Sequence, residues 1–348
     1  MNRSLSQSEN ILKIGVIGCG YWGPNHIRNF ETLPDSRVLQ VADLDPKRLS
    51  HIQVLFPRVT CTQRYKDVLE NPEIDAVVLA TPVSTHFDMA RESLLAGKHV
   101  LVEKPIATSS REVTELTELA REKQKILMVG HTFLYHSAVR AIRKIVQEGH
   151  LGKIHYISMQ RLNLGLFQKD INVLWDLAPH DISILQYLLD ESPIEVAAQG
   201  KASVNPEIED VAMMTLRFAS GVLAYIHTSW LDPKKTRQAT IVGNKKMLVY
   251  NDISAAEKIE IYDKGVETPP HYDTFAEFQY AYRYGEKVSP YIEEEEPLKV
   301  QCRHFLDCIR TGDPPLSGPQ NGGLVVRVLE ASDESLAQGG RFVPTQIH

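Results

Sequence analysis

Lys13-Ile-Gly-Val-Ile-Gly-Cys-Gly-Tyr-Trp-Gly23 is the stretch that decides the fold. A short apolar strand runs directly into a Gly-x-Gly-x-x-Gly turn made by Gly18, Gly20 and Gly23. In such a turn the first glycine permits a sharp change of direction, the second lets the backbone approach a phosphate, and the third lets the next helix pack closely on the strand. Pro24 suits the first turn of that helix, where its missing N–H costs nothing. Ile27, Phe30 and Leu33 recur at helical spacing and mark its buried face. The helix would then present its free N-terminal N–H groups to an anion at the mouth of the turn.

Working outward, a second strand, Arg37-Val-Leu-Gln-Val-Ala-Asp43, ends in a carboxylate at the distance expected of a dinucleotide-binding unit. Asp43 is expected to accept hydrogen bonds from an adenosine ribose and to repel a 2′-phosphate, which favours NAD. Lys47 and Arg48 keep NADP as the alternative. Apolar strands over 76–80, 99–102 and 126–129 then alternate with helical patterns near 84–96 and 109–124, which predicts a parallel sheet covered on both faces. The residues just past each strand, Thr81-Pro82, Glu103-Lys104-Pro105 and Gly130-His131-Thr132, fall at the edge where doubly wound sheets bind ligands.

The chain has 348 residues, 43% hydrophobic and 24% charged, enough for about two domains. A net charge of −6 argues against nucleic-acid or anionic-membrane binding, and no apolar run is long enough to span a bilayer. Residues 1–10 lack the apolar core of a signal peptide and read as a disordered polar tail, so a cytoplasmic location is expected. Cys19, Cys61, Cys302 and Cys308 are too scattered for a disulfide framework or a zinc site, and no metal is expected.

After a helical pattern over 138–147 the texture changes. Strands over 153–160, 196–204, 211–218, 222–230, 238–242 and 247–250 follow, with Ser220-Gly221 and Gly243-Asn244 as hairpin turns and helices near 180–189, 298–310 and 321–337. The fold class is therefore α/β: a doubly wound parallel Rossmann sheet over 11–130, then an α+β domain over 131–348 with an open, mostly antiparallel sheet. Helices on one side of that sheet leave its other face for a second copy, so a homodimer or homotetramer is expected. The acidic run Glu293 to Glu296 reads as a solvated loop.

Two constellations carry chemistry. Pro105 holds Lys104 out of helical geometry at the cofactor edge, where its ammonium can stabilise an alkoxide; a lysine leaving a strand for solvent is the alternative. In Trp175-Asp-Leu-Ala-Pro-His180-Asp181, Pro179 is read as the first turn of a helix over 182–189, which puts His180 at the positive end, where the dipole keeps the ring neutral. Asp176 can then fix the tautomer of a histidine base, or the pair is a capping Asp and a satisfied core His. Between these, Arg161 offers a fork for a carboxylate or phosphate, and Asn163, Gln168 and Asn172 offer hydrogen bonds to a sugar, unless they form a polar loop rim. Lys234, Lys235 and Arg237 read as a solvated basic loop.

With Gly18 to Gly23, Asp43, Thr81-Pro82 with His86, Glu103-Lys104-Pro105 and the Asp176/His180 pair in hand, the chain resembles the Gfo/Idh/MocA oxidoreductases over nearly its whole length. The resemblance implies that Lys104 and His180 act at the transferred hydrogen, with Asp176 as the orienting acid, and that the Lys104-Pro105 peptide is cis. It places Gly18, Gly20, Tyr21, Trp22, Gly23, Asp43, Thr81, Pro82, His86, Glu103, Lys104 and Trp175 at NAD, and Lys104, Arg161, Asn163, Asn172 and His180 at the substrate.

Gly20-Tyr-Trp-Gly-Pro-Asn25, Gly130-His-Thr-Phe133, Arg161-Leu-Asn-Leu-Gly165 and the run from Asn172 to Asp181 are similar to the WlbA-type UDP-N-acetylglucosaminuronate 3-dehydrogenases. That branch implies oxidation of a UDP-sugar C3 hydroxyl to a ketone for 2,3-diamino sugars of lipopolysaccharide O-antigen, with 2-oxoglutarate reoxidising NADH in some members. Another nucleotide-sugar oxidoreductase, a free-polyol dehydrogenase and a non-catalytic NAD-sensing regulator are the alternatives. Ala178 stands where the wider family commonly has glycine.

Overall fold

The first strand, β1 (Leu12–Ile17), is all but fully buried and pairs in parallel with β2 (Ser36–Ala42) on one side and β4 (Ala76–Leu79) on the other. The structure is a computed structural model and describes residues 11–267 and 281–345, so the tail expected over 1–10 lies outside the described residues. β3 (Thr60–Thr62), β5 (His99–Val102) and β6 (Leu127–Val129) complete a six-stranded sheet in the order β3-β2-β1-β4-β5-β6. Among the described residues every pairing in it is parallel. The order reverses beside β1, which puts the ends of β1 and β4 at the switch point where such sheets bind ligands.

Helix α1 (Gly23–Thr32) follows β1 with proline in its first turn, and Ile27 and Phe30 are completely buried, as the helical spacing requires. α2 (Pro46–Leu55) and α3 (Tyr65–Glu70) follow β2 and β3. α4 (His86–Leu95) and α5 (Ser110–Glu122) match the helical patterns of the sequence. The sequence reading missed α2, α3 and β3, because β3 is only three residues of intermediate or exposed Thr and Cys, with no apolar run to announce it.

Among the described residues the second sheet has nine strands in the order β14-β13-β12-β11-β7-β10-β9-β8-β15. Its strands are β7 (Ile154–Leu162), β8 (Pro193–Lys201), β9 (Val211–Phe218), β10 (Leu223–Ser229), β11 (Thr236–Gly243), β12 (Met247–Asn251), β13 (Ile259–Glu267), β14 (Ala281–Val288) and β15 (Val343–Pro344). Among the described residues only β7 and β10 pair in parallel, so the sheet is mixed and mostly antiparallel. Strict alternation gives it two characters. Ala212, Met214, Leu216, Ala224 and Ile226 are buried on one face, while Met213, Tyr156 and Tyr225 are exposed on the other, the two tyrosines edge to face at 6.3 Å. β13, β14 and β15 also escaped the sequence reading; β14 alternates tyrosine with charge at an exposed edge and buries little.

The remaining helices are α6 (Ser137–Gln147), α7 (Val173–Leu189), α8 (Pro297–Thr311) and α9 (Pro319–Ala337). The chain divides into one unit of Met1–Tyr135 with Glu295–Val326 and another of His136–Glu294 with Arg327–His348, rather than at a single cut after residue 130. The return has a physical cause: α8 buries Leu298, Cys302, Phe305 and Leu306, and it packs on α1. The acidic run is likewise more than a solvated loop. Glu296 takes Arg28 in a two-pronged ion pair at 2.9 and 2.5 Å, Glu295 pairs with Arg303, and Glu294 pairs with Lys258. All four cysteines are free thiols. No described helix is long and apolar enough to cross a membrane.

Candidate active site

In the first unit the turn behaves as its glycines demand. Gly18 adopts φ +95°, and a Cβ there would stand 2.5 Å from the Ala80 carbonyl oxygen. A Cβ on Gly23 would strike the Gly18 carbonyl, so the helix can sit this close only with glycine. At Gly20 the same atom would meet nothing nearer than Arg48 at 3.8 Å, which leaves the space a phosphate needs. Asp43 is almost enclosed: Oδ2 accepts from Cys19 N at 2.6 Å and Oδ1 from Asp45 N at 2.8 Å, with Arg48 3.5 Å from Oδ2. Burial, with Asp43 next in effect, pushes the Cys19 thiol up to about 12, so it stays protonated beside the turn.

Gly18, Gly20, Asp43, Thr81 and Pro82 line one cavity of about 610 Å³, together with Arg48, Tyr65 and Met89. A carboxylate for a ribose, open space over Gly20 and a helix N-terminus beside it fit the adenosine and pyrophosphate of NAD. Tyr21 is 80% exposed and stacks edge-on against Trp22 at 5.2 Å, so both stand at the rim of the turn.

Three residues expected at the cofactor also make contacts within the frame. His86 is buried, with Nδ1 2.7 Å from the Pro105 carbonyl and Nε2 2.9 Å from that of Thr81, so it ties the ends of β4 and β5 together. Burial holds its pKa below the ordinary value. Glu103 turns inward, its Oε1 2.8 Å from Nε2 of the wholly buried His26 on α1. Its other oxygen lies 3.4 Å from Lys104 N and 2.9 Å from where a Cβ on residue 130 would be, so Gly130 makes room for it. Trp175 is in the other unit and gives its indole N–H to Asp333 at 2.6 Å. Lys104-Pro105 is cis, as the resemblance implies.

In the second unit α7 starts nine residues before the helix read from the sequence. Asn172 caps it, accepting from Leu174 N and Trp175 N at 3.1 and 3.2 Å, and donates to Asp333 at 3.0 Å. Asn172 is therefore a helix cap. Pro179 is internal to the helix and His180 lies two turns in, so the dipole argument for a neutral ring does not apply there. Asp176 and His180 do share a helix face at i, i+4 spacing. Asp176 accepts from Trp230 Nε1 at 2.9 Å.

Arg161 lies on β7 and not in a loop. It is buried and gives Nη2 and Nε to Asp181 at 2.7 and 3.2 Å, so its fork is already filled. The pair keeps the guanidinium charged against the opposing effect of burial. Asn163, directly after β7, donates its backbone N–H to the Ser229 carbonyl at 3.1 Å. Gln168 reaches the Leu166 carbonyl at 3.3 Å. Arg237, from the basic cluster, pairs with Asp252 at 3.4 Å. Sequence reasoning missed Trp230 and His26. His26 had a visible signal, a polar residue on the apolar stripe of α1; Trp230 had none, because its partner is 54 residues away.

A family model described as oxidoreductase family, NAD-binding Rossmann fold, matches residues 12–131, and the GFO/IDH/MocA C-terminal domain matches 139–249. The chain belongs to the Gfo/Idh/MocA oxidoreductase family. It is an NAD-dependent oxidoreductase of CH–OH groups. The UDP-N-acetylglucosamine 3-dehydrogenase of Acidithiobacillus ferrooxidans is 28% identical, over 74% of this chain and 79% of its own. The myo-inositol 2-dehydrogenase of Thermotoga maritima is 25% identical, over 94% and 97%. GenD2 from gentamicin A biosynthesis, solved in complex with NAD, shares the fold with a TM-score of 0.82 and 23% identity, over 98% of each chain.

Proposed function

We propose that this oxidoreductase oxidises the C3 hydroxyl of UDP-N-acetylglucosaminuronate to the 3-keto sugar, ahead of the transamination that makes 2,3-diamino sugars for surface polysaccharide in the cytoplasm. The observation that carries the chemical part is α7, which sets Asp176 and His180 on one face, with Asp176 held by a buried donor. His180 accepts the hydroxyl proton, Asp176 fixes its ring, and Lys104 stabilises the alkoxide that forms. Bound NAD supplies the hydride acceptor.

The sugar rests on the resemblance of the Asn172 to Asp181 run and on the relative named for a UDP-N-acetylhexosamine. One observation favours a second reading: Asp181 already fills the Arg161 fork, so a substrate without the carboxylate, UDP-N-acetylglucosamine, is the rival. Mass spectrometry of both sugars after incubation with NAD, with and without 2-oxoglutarate, and with a transaminase and glutamate to trap the ketone, tests this. A product from the uronate alone supports the proposal, and one from UDP-N-acetylglucosamine alone replaces it. Product that needs 2-oxoglutarate reveals cofactor recycling. The exposed sheet face with Met213, Tyr156 and Tyr225 supports a homodimer or homotetramer, which light scattering after gel filtration would count.

A further inference from the structure

α7 is pinned from three elements at successive positions. Asp333 on α9 receives Asn172 and Trp175, Arg161 on β7 takes Asp181, and Trp230, directly after β10, donates to Asp176. The last of these touches the acid that the proposed function sets beside His180. Trp230 is 1% exposed, and its backbone is fixed on both sides: Trp230 N donates to the Asp210 carbonyl and its own carbonyl accepts from Gly165 N, each at 2.9 Å. Its ring is fixed as well. Phe167 packs on it at 5.7 Å, and a Cβ on Gly165 would come within 3.0 Å of Cδ1, so the loop after β7 closes against the indole.

We propose that Trp230 is a positioning residue, whose indole N–H holds the Asp176 carboxylate, and through it His180, in the geometry that proton transfer requires. An indole donates once and accepts nothing, so it binds one carboxylate oxygen without competing for a proton. The indole is shielded from solvent, and a hydrogen bond from it to a carboxylate is of the stronger class. The adjacent residue is held the opposite way round: Trp175 of the helix donates outward to Asp333, while Asp176 receives from Trp230. The two indole–carboxylate bonds, set at consecutive positions, fix the rotation of α7 about its axis as well as its place. This inference rests on the catalytic roles proposed for Asp176 and His180.

The test is a double-mutant cycle on NAD-loaded protein assayed with UDP-N-acetylglucosaminuronate. Trp230→Phe keeps an aromatic ring and removes the N–H. The expected result is a kcat about 10-fold lower, the scale of a hydrogen bond to a charged group, with KM for sugar and NAD nearly unchanged. In an Asp176→Ala background the same change costs nothing further. An equal loss in both backgrounds would mean that Trp230 only supports the fold, and would overturn the proposal.

His180→Asn separates the two failures. Retained turnover in that variant sinks the underlying assignment, whereas lost turnover with an additive cycle sinks only the role of Trp230. A second measurement leaves Trp230 intact and needs no turnover, so it decides the matter if the phenylalanine variant does not fold or the sugar is not a substrate. The chain has three tryptophans, and 15N-indole spectra resolve them. Asp176→Ala is expected to shift the Trp230 Nε1–H resonance more than those of Trp22 and Trp175; a stationary resonance would overturn the proposal.

Discussion

At the turn over residues 18–23 the shape is set by the backbone and by residues that lack a side chain, whereas along α7 it is set by side chains, each with a partner far away in sequence. Gly18, Gly20 and Gly23 are defined by what a Cβ would strike or leave open, and those constraints are local. Asn172, Trp175, Asp176 and Asp181 are defined by Asp333, Trp230 and Arg161, at separations of 20 to 161 residues. A backbone site is written in its own few residues, whereas a side-chain site is written in the tertiary fold.

The largest expected effect breaks this comparison at Arg161. If it is a structural partner, Arg161→Met leaves Asp181 buried and unpaired and lowers unfolding free energy by about 3–5 kcal/mol, read by urea denaturation. Replacing Asp181 with leucine in the same chain should restore most of that loss. A stable Arg161→Met protein that has lost only affinity for the sugar would return Arg161 to the substrate.

Next comes the turn itself. Gly23→Ala drives a methyl into the Gly18 carbonyl, and an overpacking penalty of about 1–3 kcal/mol corresponds to NAD binding weakened roughly 10- to 100-fold, measured by calorimetry. Unchanged NAD affinity would show that the turn is not the phosphate site. A smaller effect tests the corrected start of α7: Asn172→Ala should cost about 1 kcal/mol of stability, since it removes a cap from two N–H groups. A loss of sugar affinity with no change in stability would favour the original reading of Asn172.

A further effect contrasts the two interiors by pH. The second unit buries an ion pair, but His131 in the first is wholly buried, and burial with the Lys104 charge pulls its pKa from 6.5 down to about 3. The unfolded chain takes up a proton near pH 6.5 that the folded chain refuses until about pH 3. The stability this neutral ring contributes is therefore complete above pH 6.5 and drains as pH falls through that window. Thermal unfolding of His131→Phe should show a shallower fall in Tm from pH 7 to pH 5 than the parent does. Parallel curves would place the acid sensitivity elsewhere, such as at His99, also pulled down, to about 4, by burial and Lys125.

The same contrast explains what could be read in advance. Most of the six-stranded sheet was legible because its strands, β3 apart, are short and mainly apolar, as β4 shows with four buried residues out of four. The helix carrying His180 was legible only in its apolar half. Pro179 looks like a start because proline usually is one, and an asparagine seven residues earlier gives no sign that it is the true cap until Asp333 is seen holding it. Asp43 could be read from strand spacing alone, but the inward turn of Glu103 could not, since His26 meets it from 77 residues away.

Gly130, Glu103 and His26 also say something about how such a chain can change over time. Glu103 occupies the volume that any side chain at 130 would need, and His26 holds it there. A side chain at 130 presses on the Glu103 carboxyl and on its Cα, and a displaced Glu103 carboxyl loses its contact with His26. The three positions are thus coupled, so among descendants they should be kept together or replaced together.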